Sequence, residues 1–347
     1  MRNIVLIMGA LVMGSQVDAS KMPEETVDDS QCFTHTLKGA PSAEPFNLVT
    51  VKARVLQKIM NSPTPVSEED QTALYSLVDD LAKFPFGESL LAQGGITGRW
   101  THYMVYEHPR MGRWSGRNSL DEPLTTAEDW VLNKMPVMLA TQQRFNIFQG
   151  ILNKHLKDGA KFGSVPCGWM ADLLTLPSLS HFQDVELVGM DIDSETLKEG
   201  EQYASSLSVS AKVSFKKQDA LTLPVSADFD ALTSNGLNFY MHNDNQVVQL
   251  YRSVFGALKS GGVFVTSFLT TPPIPKPDAP KSPWRMSGLK PEDLMKQRLL
   301  FQFLGTRMSA FRSEELTIAQ LKEAGFDKIE IYPDDAYMMP TVVAYKN

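Results

Sequence analysis

The stretch Ala160-Lys161-Phe162-Gly163-Ser164-Val165-Pro166-Cys167-Gly168-Trp169-Met170-Ala171-Asp172-Leu173-Leu174 decides how the C-terminal part of the chain folds. Residues 160–165 read as a short buried strand, and 169–174 as the helix that follows it. A Pro-Cys-Gly turn joins the two. Gly168 has no Cβ, so backbone amides and a helix N-terminus can approach whatever sits above the turn. In open α/β sheets ligands bind there, beyond the carboxyl ends of the strands.

The same alternation continues outward. Strands are expected at 185–190, 212–217, 229–234 and 262–269, with helices at 194–207 and 243–258. Lys259-Ser260-Gly261-Gly262 reads as a helix stop and a turn into the fifth strand. This order predicts a parallel, doubly wound sheet. A segment 271–313 is then inserted. It opens with Pro272-Pro273-Ile274-Pro275-Lys276-Pro277, which excludes a helix or central strand, and carries a helix from Pro291 to about Leu304. A surface loop is its default reading, a second wall of the pocket the alternative. Helix 314–324 and strands 326–332 and 338–345 close the chain. No helix separates the last two strands, so they should pair antiparallel. The expected fold is α/β: a mainly parallel, doubly wound, seven-stranded sheet with an antiparallel last strand, preceded by a helical cap.

The cap covers 46–135 and the sheet domain 136–347. Val51, Val55, Leu56 and Ile59 share a helical face. Ser67 followed by Glu68-Glu69-Asp70 opens a second helix, whose apolar face is Leu74, Leu77, Val78 and Leu81. A short helix over 88–92 ends at Gly94-Gly95. Residues 96–121 read as an aromatic, basic loop, followed by helices at 125–134 and 136–156. Residues 20–45 form a polar, acidic arm. In residues 1–19 an apolar run from Ile4 to Met13 precedes Val17-Asp18-Ala19. That pattern reads as a secretory signal peptide or a short apolar tail, too short to span a bilayer.

The 347 residues carry 33 Lys and Arg against 40 Asp and Glu, a net charge of −7, and 43% are apolar. The composition is that of a globular chain and argues against disorder. The negative charge argues against non-specific nucleic-acid binding. The two cysteines, Cys32 and Cys167, make no disulfide framework, and the six His have no zinc spacing, so no metal is expected.

Chemistry gathers at the strand ends. The second strand closes with Gly189-Met190-Asp191-Ile192-Asp193. Asp191 lies 23 residues after Gly168, a spacing that suits a carboxylate accepting hydrogen bonds from a ribose. Its alternative role is to cap the next helix, for which Asp193 or Ser194 is better placed. The third strand runs into Gln218-Asp219-Ala220-Leu221, where Asp219 can meet an adenine amino group or be a plain loop acid. The fourth ends in Thr233-Ser234-Asn235-Gly236-Leu237-Asn238-Phe239-Tyr240.

Together these four strand ends resemble the class I S-adenosylmethionine-dependent methyltransferases, over roughly Gln142 to Tyr345. The chain is also similar to a bacterial subgroup with Pro-Cys-Gly, Ser-Asn-Gly-Leu-Asn and Thr-Ser-Phe-Leu strings and a helical N-terminal cap. In the wider family an acid precedes glycines at alternate positions. Here Ser164 stands for the acid, Pro166 for the first glycine and Met170 for the third, so only Gly168 matches directly. The resemblance implies S-adenosylmethionine as cofactor, bound by Pro166, Cys167, Gly168, Asp191, Ile192, Asp219, Ala220 and Asn235. It implies in-line methyl transfer to a small-molecule acceptor, with Tyr240 and His242 as candidate bases. Arg99, Trp100, His102, Tyr103 and Asn238 are candidate acceptor contacts. The alternative for the four cap residues is a plug that fixes the cap to the core. The alternative for His242 is a helix start or solvent exposure. Arg110, Arg113 and Arg117 attract an anionic acceptor or form a solvated face. Two other readings are a non-catalytic S-adenosylmethionine-binding protein and a nicotinamide-dependent oxidoreductase. The second is disfavoured because no Gly-x-Gly-x-x-Gly stands at the strand ends. S-adenosylmethionine is made and used in the cytoplasm, which favours a cytoplasmic working site.

Overall fold

Lys161–Ser164 (β1), Glu186–Asp191 (β2), Lys212–Lys217 (β3), Phe229–Thr233 (β4), Leu258–Ser267 (β5), Lys328–Tyr332 (β6) and Thr341–Tyr345 (β7) form one sheet of order β3-β2-β1-β4-β5-β7-β6. The computed structural model describes residues 46–62, 65–93, 96–273, 281–304 and 308–347, all within one compact unit. Six strands run in one direction, and β7 runs antiparallel to both β5 and β6. The expected sheet, with its antiparallel last strand, is therefore present. Residues 1–45 and Pro275-Lys276-Pro277 lie outside the described residues, as does Cys32.

β1 is central, and its neighbours change from β2 to β4 across it, which places the switch point above its carboxyl end. Apolar layers cover both faces of the sheet. One contains Val188, Leu232, Tyr251 and Phe264, and the other Phe148, Phe162, Leu187 and Val265. β5 begins earlier than expected, and residues 259–262 bulge out of its ladder with β4. The helix before it ends at Ala257 and the strand starts at Leu258, with a register shift against β4 between Phe229 and Ala231. Gly261, at φ +76°, lies within this bulged segment.

A third apolar cluster joins the N-terminal helices to the insertion. Helices Leu48–Met60 (α1), Glu68–Leu81 (α2), Pro85–Gln93 (α3), Gly98–His102 (α4), Arg113–Ser115 (α5), Thr126–Asn133 (α6) and Pro136–His155 (α7) precede the sheet. Asn47 and Ser67 cap α1 and α2 through their side chains. The loop expected over 96–121 is instead largely helical, with a wide π-type helix over Tyr103–Gly112 between α4 and α5. Tyr103 and His108 are both buried five residues apart, a spacing suited to the wider turn. The insertion is not merely a surface loop. Its helix Pro291–Leu304 buries Leu299, Leu300 and Phe303 among Leu74, Leu81 and Trp130. Trp130 Nε1 donates to Asp293 Oδ1 at 2.8 Å, and the Val137 amide donates to Gln297 Oε1 at 2.7 Å. Among the described residues no helix is long and apolar enough to cross a membrane.

Candidate active site

A cavity of about 330 Å³ opens above the carboxyl ends of β1 to β4, a size suited to a small molecule. Its floor comes from Val165–Asp172, Asp191–Asp193 and Gln218–Leu221. Asn235, Leu237 and Tyr240 close one side, Thr141, Arg144 and Phe145 of α7 another, and Ile96–Arg99, Thr101 and His102 contribute from the helical cap.

The turn after β1 is tied to β2, because the Cys167 amide donates to the Met190 carbonyl at 2.9 Å. Gly168 has φ +52°, and a Cβ there would lie 3.8 Å from Gly98 Cα, so the cap backbone comes close to the turn. Asp191 is 6% exposed. Its Oδ2 accepts from the Gly168 amide at 3.4 Å and its Oδ1 from the Asp193 amide at 3.0 Å. Burial pushes its carboxyl above the usual range, against the opposing pull of these amides. Asp193 caps the next helix, Ser194–Ser206 (α9 in chain order after α8, Ala171–Leu174). Asp191 therefore has no capping role. Asp219 lies exposed at the rim, with Oδ1 accepting from the Leu221 amide at 2.9 Å. Pro166, Cys167, Ile192, Ala220 and Asn235 also line the cavity. Burial raises the Cys167 thiol, which disfavours a reactive thiolate.

Two buried ionisable residues at this cavity escaped sequence reasoning. Asp172 Oδ2 accepts from Ser164 Oγ at 3.0 Å and from Thr233 Oγ1 at 2.6 Å. Burial raises its carboxyl despite these bonds. The available signal was an acid one helical turn beyond the glycine turn, opposite a serine in the usual acid position. Arg144 is 7% exposed and donates from Nη1 to Ser267 Oγ at 2.9 Å. Its guanidinium lies 5.1 Å from the Phe239 ring centroid. Burial lowers its pKa to about 10, still well above neutrality.

The candidate acceptor residues divide. Tyr240, Arg99 and His102 line the cavity. Burial drives the Tyr240 hydroxyl up, outweighing the opposing effect of Arg144, so it stays protonated at neutral pH. His102 packs 5.2 Å from Trp169 and 4.2 Å from Tyr203, with Nε2 3.2 Å from Glu107 Oε1. Trp100 and Tyr103 do not line this cavity. They pack with Phe86 in the helical core and border a second cavity. His242 is exposed and lies outside the lining, with Nε2 3.2 Å from Ser309 Oγ. Asn238 is also outside it, and its Nδ2 donates to the Ser267 carbonyl at 2.8 Å and the Tyr251 hydroxyl at 3.3 Å. Arg110 and Arg113 bind Gln149, Asn133 and Gln142, while Arg117 pairs with Asp121. None of the three lines the cavity.

Residues 165–262, which form most of this floor, match the family model described as a methyltransferase domain. The chain is 37% identical to a possible exported protein from Bordetella parapertussis of known crystal structure, covering 86% of this chain and 95% of that one, with a TM-score of 0.76. The chain belongs to the class I S-adenosylmethionine-dependent methyltransferases. A methyltransferase of that dependence from Methanosarcina mazei is 17% identical over 56% of this chain and 96% of that one, with a TM-score of 0.39. Another, from Clostridium acetobutylicum, is 13% identical over 63% of this chain and 96% of that one, also with a TM-score of 0.39. No curated protein matches significantly.

The residues of this methyltransferase fit the family's cofactor in donor chemistry. Each Asp191 oxygen accepts one backbone amide, which leaves lone pairs for a vicinal diol. Asp219 Oδ2 stands at the rim for an amino group. Gly168 presents bare backbone between them, and Asp172 adds a buried carboxyl group to the lining.

Proposed function

We propose that the chain transfers a methyl group from S-adenosylmethionine to a small-molecule acceptor within this cavity. The observation that carries the reading is the buried Asp191 carboxylate at the end of β2, bonded to the Gly168 amide at the mouth of the turn. Asp191 holds the ribose hydroxyls and Asp219 the adenine edge, with Pro166, Cys167, Gly168, Ile192, Ala220 and Asn235 shaping the slot. Bound there, S-adenosylmethionine supplies an electrophilic methyl on a sulfonium that leaves as a neutral thioether.

The leaving side needs no acid, so the chain's work is to position, to exclude water and to accommodate charge. Holding the reacting atoms in line is worth up to ~7–11 kcal/mol in favourable cases. Asp172 provides negative charge beside the donor. The cap residues Arg99 and His102 close over the pocket, which supports an acceptor small enough to be enclosed. Tyr240 serves as a protonated wall and hydrogen-bond donor. An acceptor that arrives already ionised, or with an unprotonated nitrogen, needs no base from the chain.

Titration calorimetry with S-adenosylhomocysteine tests the reading. Asp191→Ala should weaken binding by roughly 1–3 kcal/mol, the loss of hydrogen bonds to a charged group. Unchanged affinity removes Asp191 from the site. Turnover of a small-molecule pool with radiolabelled methyl donor separates the enzyme from a binding protein.

We place the activity in the cytoplasm, where the donor is made. The Bordetella parapertussis relative is described as a possible exported protein, and residues 1–19 carry an export-like pattern. The mass of the N-terminal peptide from native cells tests the placement: a cleaved chain starting at Ser20 contradicts it.

A further inference from the structure

Arg144 brings a full positive charge into the cavity wall with no anion to meet it. Among the described residues no carboxylate comes within ion-pair distance of its guanidinium, and its buried Nε has no hydrogen-bond partner. Buried charges are normally paired, because an unpaired one is expensive to desolvate. The acidic groups that act on Arg144 from a distance are the Tyr240 hydroxyl, which is protonated at neutral pH, and the Asp334 carboxylate, which accepts the amides of Ala336, Met338 and Met339 at 3.1, 3.0 and 2.7 Å. That carboxylate is held by its own turn.

The location of the guanidinium points to its ligand. Nη1 is bonded to Ser267 at the end of β5 and would lie 3.2 Å from a Cβ built on Gly236, after β4. Gly236, at φ +95°, leaves that approach open. Asp172 is tied to Ser164 of β1 and Thr233 of β4. β5 stands two strands from β1, about 10 Å at ordinary strand spacing. The cavity thus has an acid, Asp172, between β1 and β4, where a cationic donor belongs, and a positive group toward β5, on the side of Tyr240.

We propose that the methyl acceptor is a small carboxylate-bearing anion and that Arg144 receives its charge. This deepens the methyl-transfer reading and rests on it. A planar guanidinium offers paired N–H donors that match a carboxylate, and the Phe239 and Phe148 rings beside it keep its position. Arg144 binds and orients the acceptor without moving a proton. The other source of a carboxylate is the amino-acid end of the donor itself.

The full-length protein saturated with S-adenosylhomocysteine is titrated with benzoate, phenylacetate and octanoate, each against its primary amide. The wild-type protein should prefer at least one acid over its amide by about tenfold or more, and Arg144→Met and Arg144→Gln should abolish the preference. Arg144→Lys should keep part of it. In parallel, wild type and Arg144→Met are titrated with S-adenosylhomocysteine and with 5′-methylthioadenosine, which lacks the amino-acid end. The ratio of the two affinities should not change. No acid preference in the wild-type protein overturns the proposal, and that arm does not depend on any variant folding. A ratio that collapses in Arg144→Met also overturns it, assigning Arg144 to the donor's carboxylate. Failure of the wild-type protein to bind S-adenosylhomocysteine at all is a different result, which removes the methyl-transfer reading itself.

Discussion

Ser164 donates its hydroxyl to the buried carboxylate of Asp172 at 3.0 Å. The strand-end position that usually carries an acid in this family therefore holds a hydroxyl, and the hydroxyl grips an acid supplied by the next helix. Burial raises the Asp172 carboxyl, so the folded chain binds this proton more tightly than the unfolded chain. Its charge opposes folding above the folded pKa, and the cost is relieved as pH falls through that value. Asp172→Asn keeps an oxygen acceptor for Ser164 and Thr233 and removes the charge. The ligand-free variant should melt at or above the wild-type temperature at pH 8, with the gap narrowing toward pH 5. Its affinity for S-adenosylmethionine should fall by about tenfold or more. A variant less stable at pH 8 than at pH 5, relative to wild type, contradicts this account.

Gly168 occupies the left-handed region at φ +52° beside the Gly98 backbone. Alanine there should cost about 1–2 kcal/mol in strain. Urea denaturation measures the loss, and an unchanged midpoint would show that the turn adapts freely.

The hydrogen bond from Trp130 to Asp293 joins the cap to the insertion helix. Asp293→Ala leaves a buried indole N–H unpaired and should destabilise by ~1–3 kcal/mol. Asp293→Asn should recover most of that stability. Equal losses in the two variants would mean that packing, not the hydrogen bond, holds the insertion in place.

Tyr240→Phe tests the protonated-wall role. Removing a true general base costs about two to four powers of ten. Since burial keeps this hydroxyl protonated, the expected fall in kcat/KM is less than tenfold, with the pH profile unmoved. A large loss that shifts the acidic limb would restore Tyr240 as the base.

The strands and the glycine turn were legible because alternation of apolar runs with turn residues depends on local chemistry. Asp191 was legible through its distance from Gly168. Helical structure over Gly98–Ser115 was hidden by Pro109 and by a wide turn whose buried residues do not follow the usual helical period. The early start of β5 was hidden because Lys259-Ser260-Gly261-Gly262 looks like a stop, and the register shift that absorbs it depends on the neighbouring strand. Asp172 carries no distinguishing signal, because an acid in a first helical turn is common. Arg144 lies mid-helix, where a long cation normally reaches solvent. Only the packing of α7 over β4 and β5 turns it inward.

A crystal structure of the complex with S-adenosylhomocysteine decides whether this crevice holds the donor. The nucleoside should lie above β1 and β2, with both ribose hydroxyls within hydrogen-bond distance of Asp191 and the adenine edge beside Asp219. A nucleoside bound elsewhere, or a crevice that stays closed at saturating ligand, would contradict this placement.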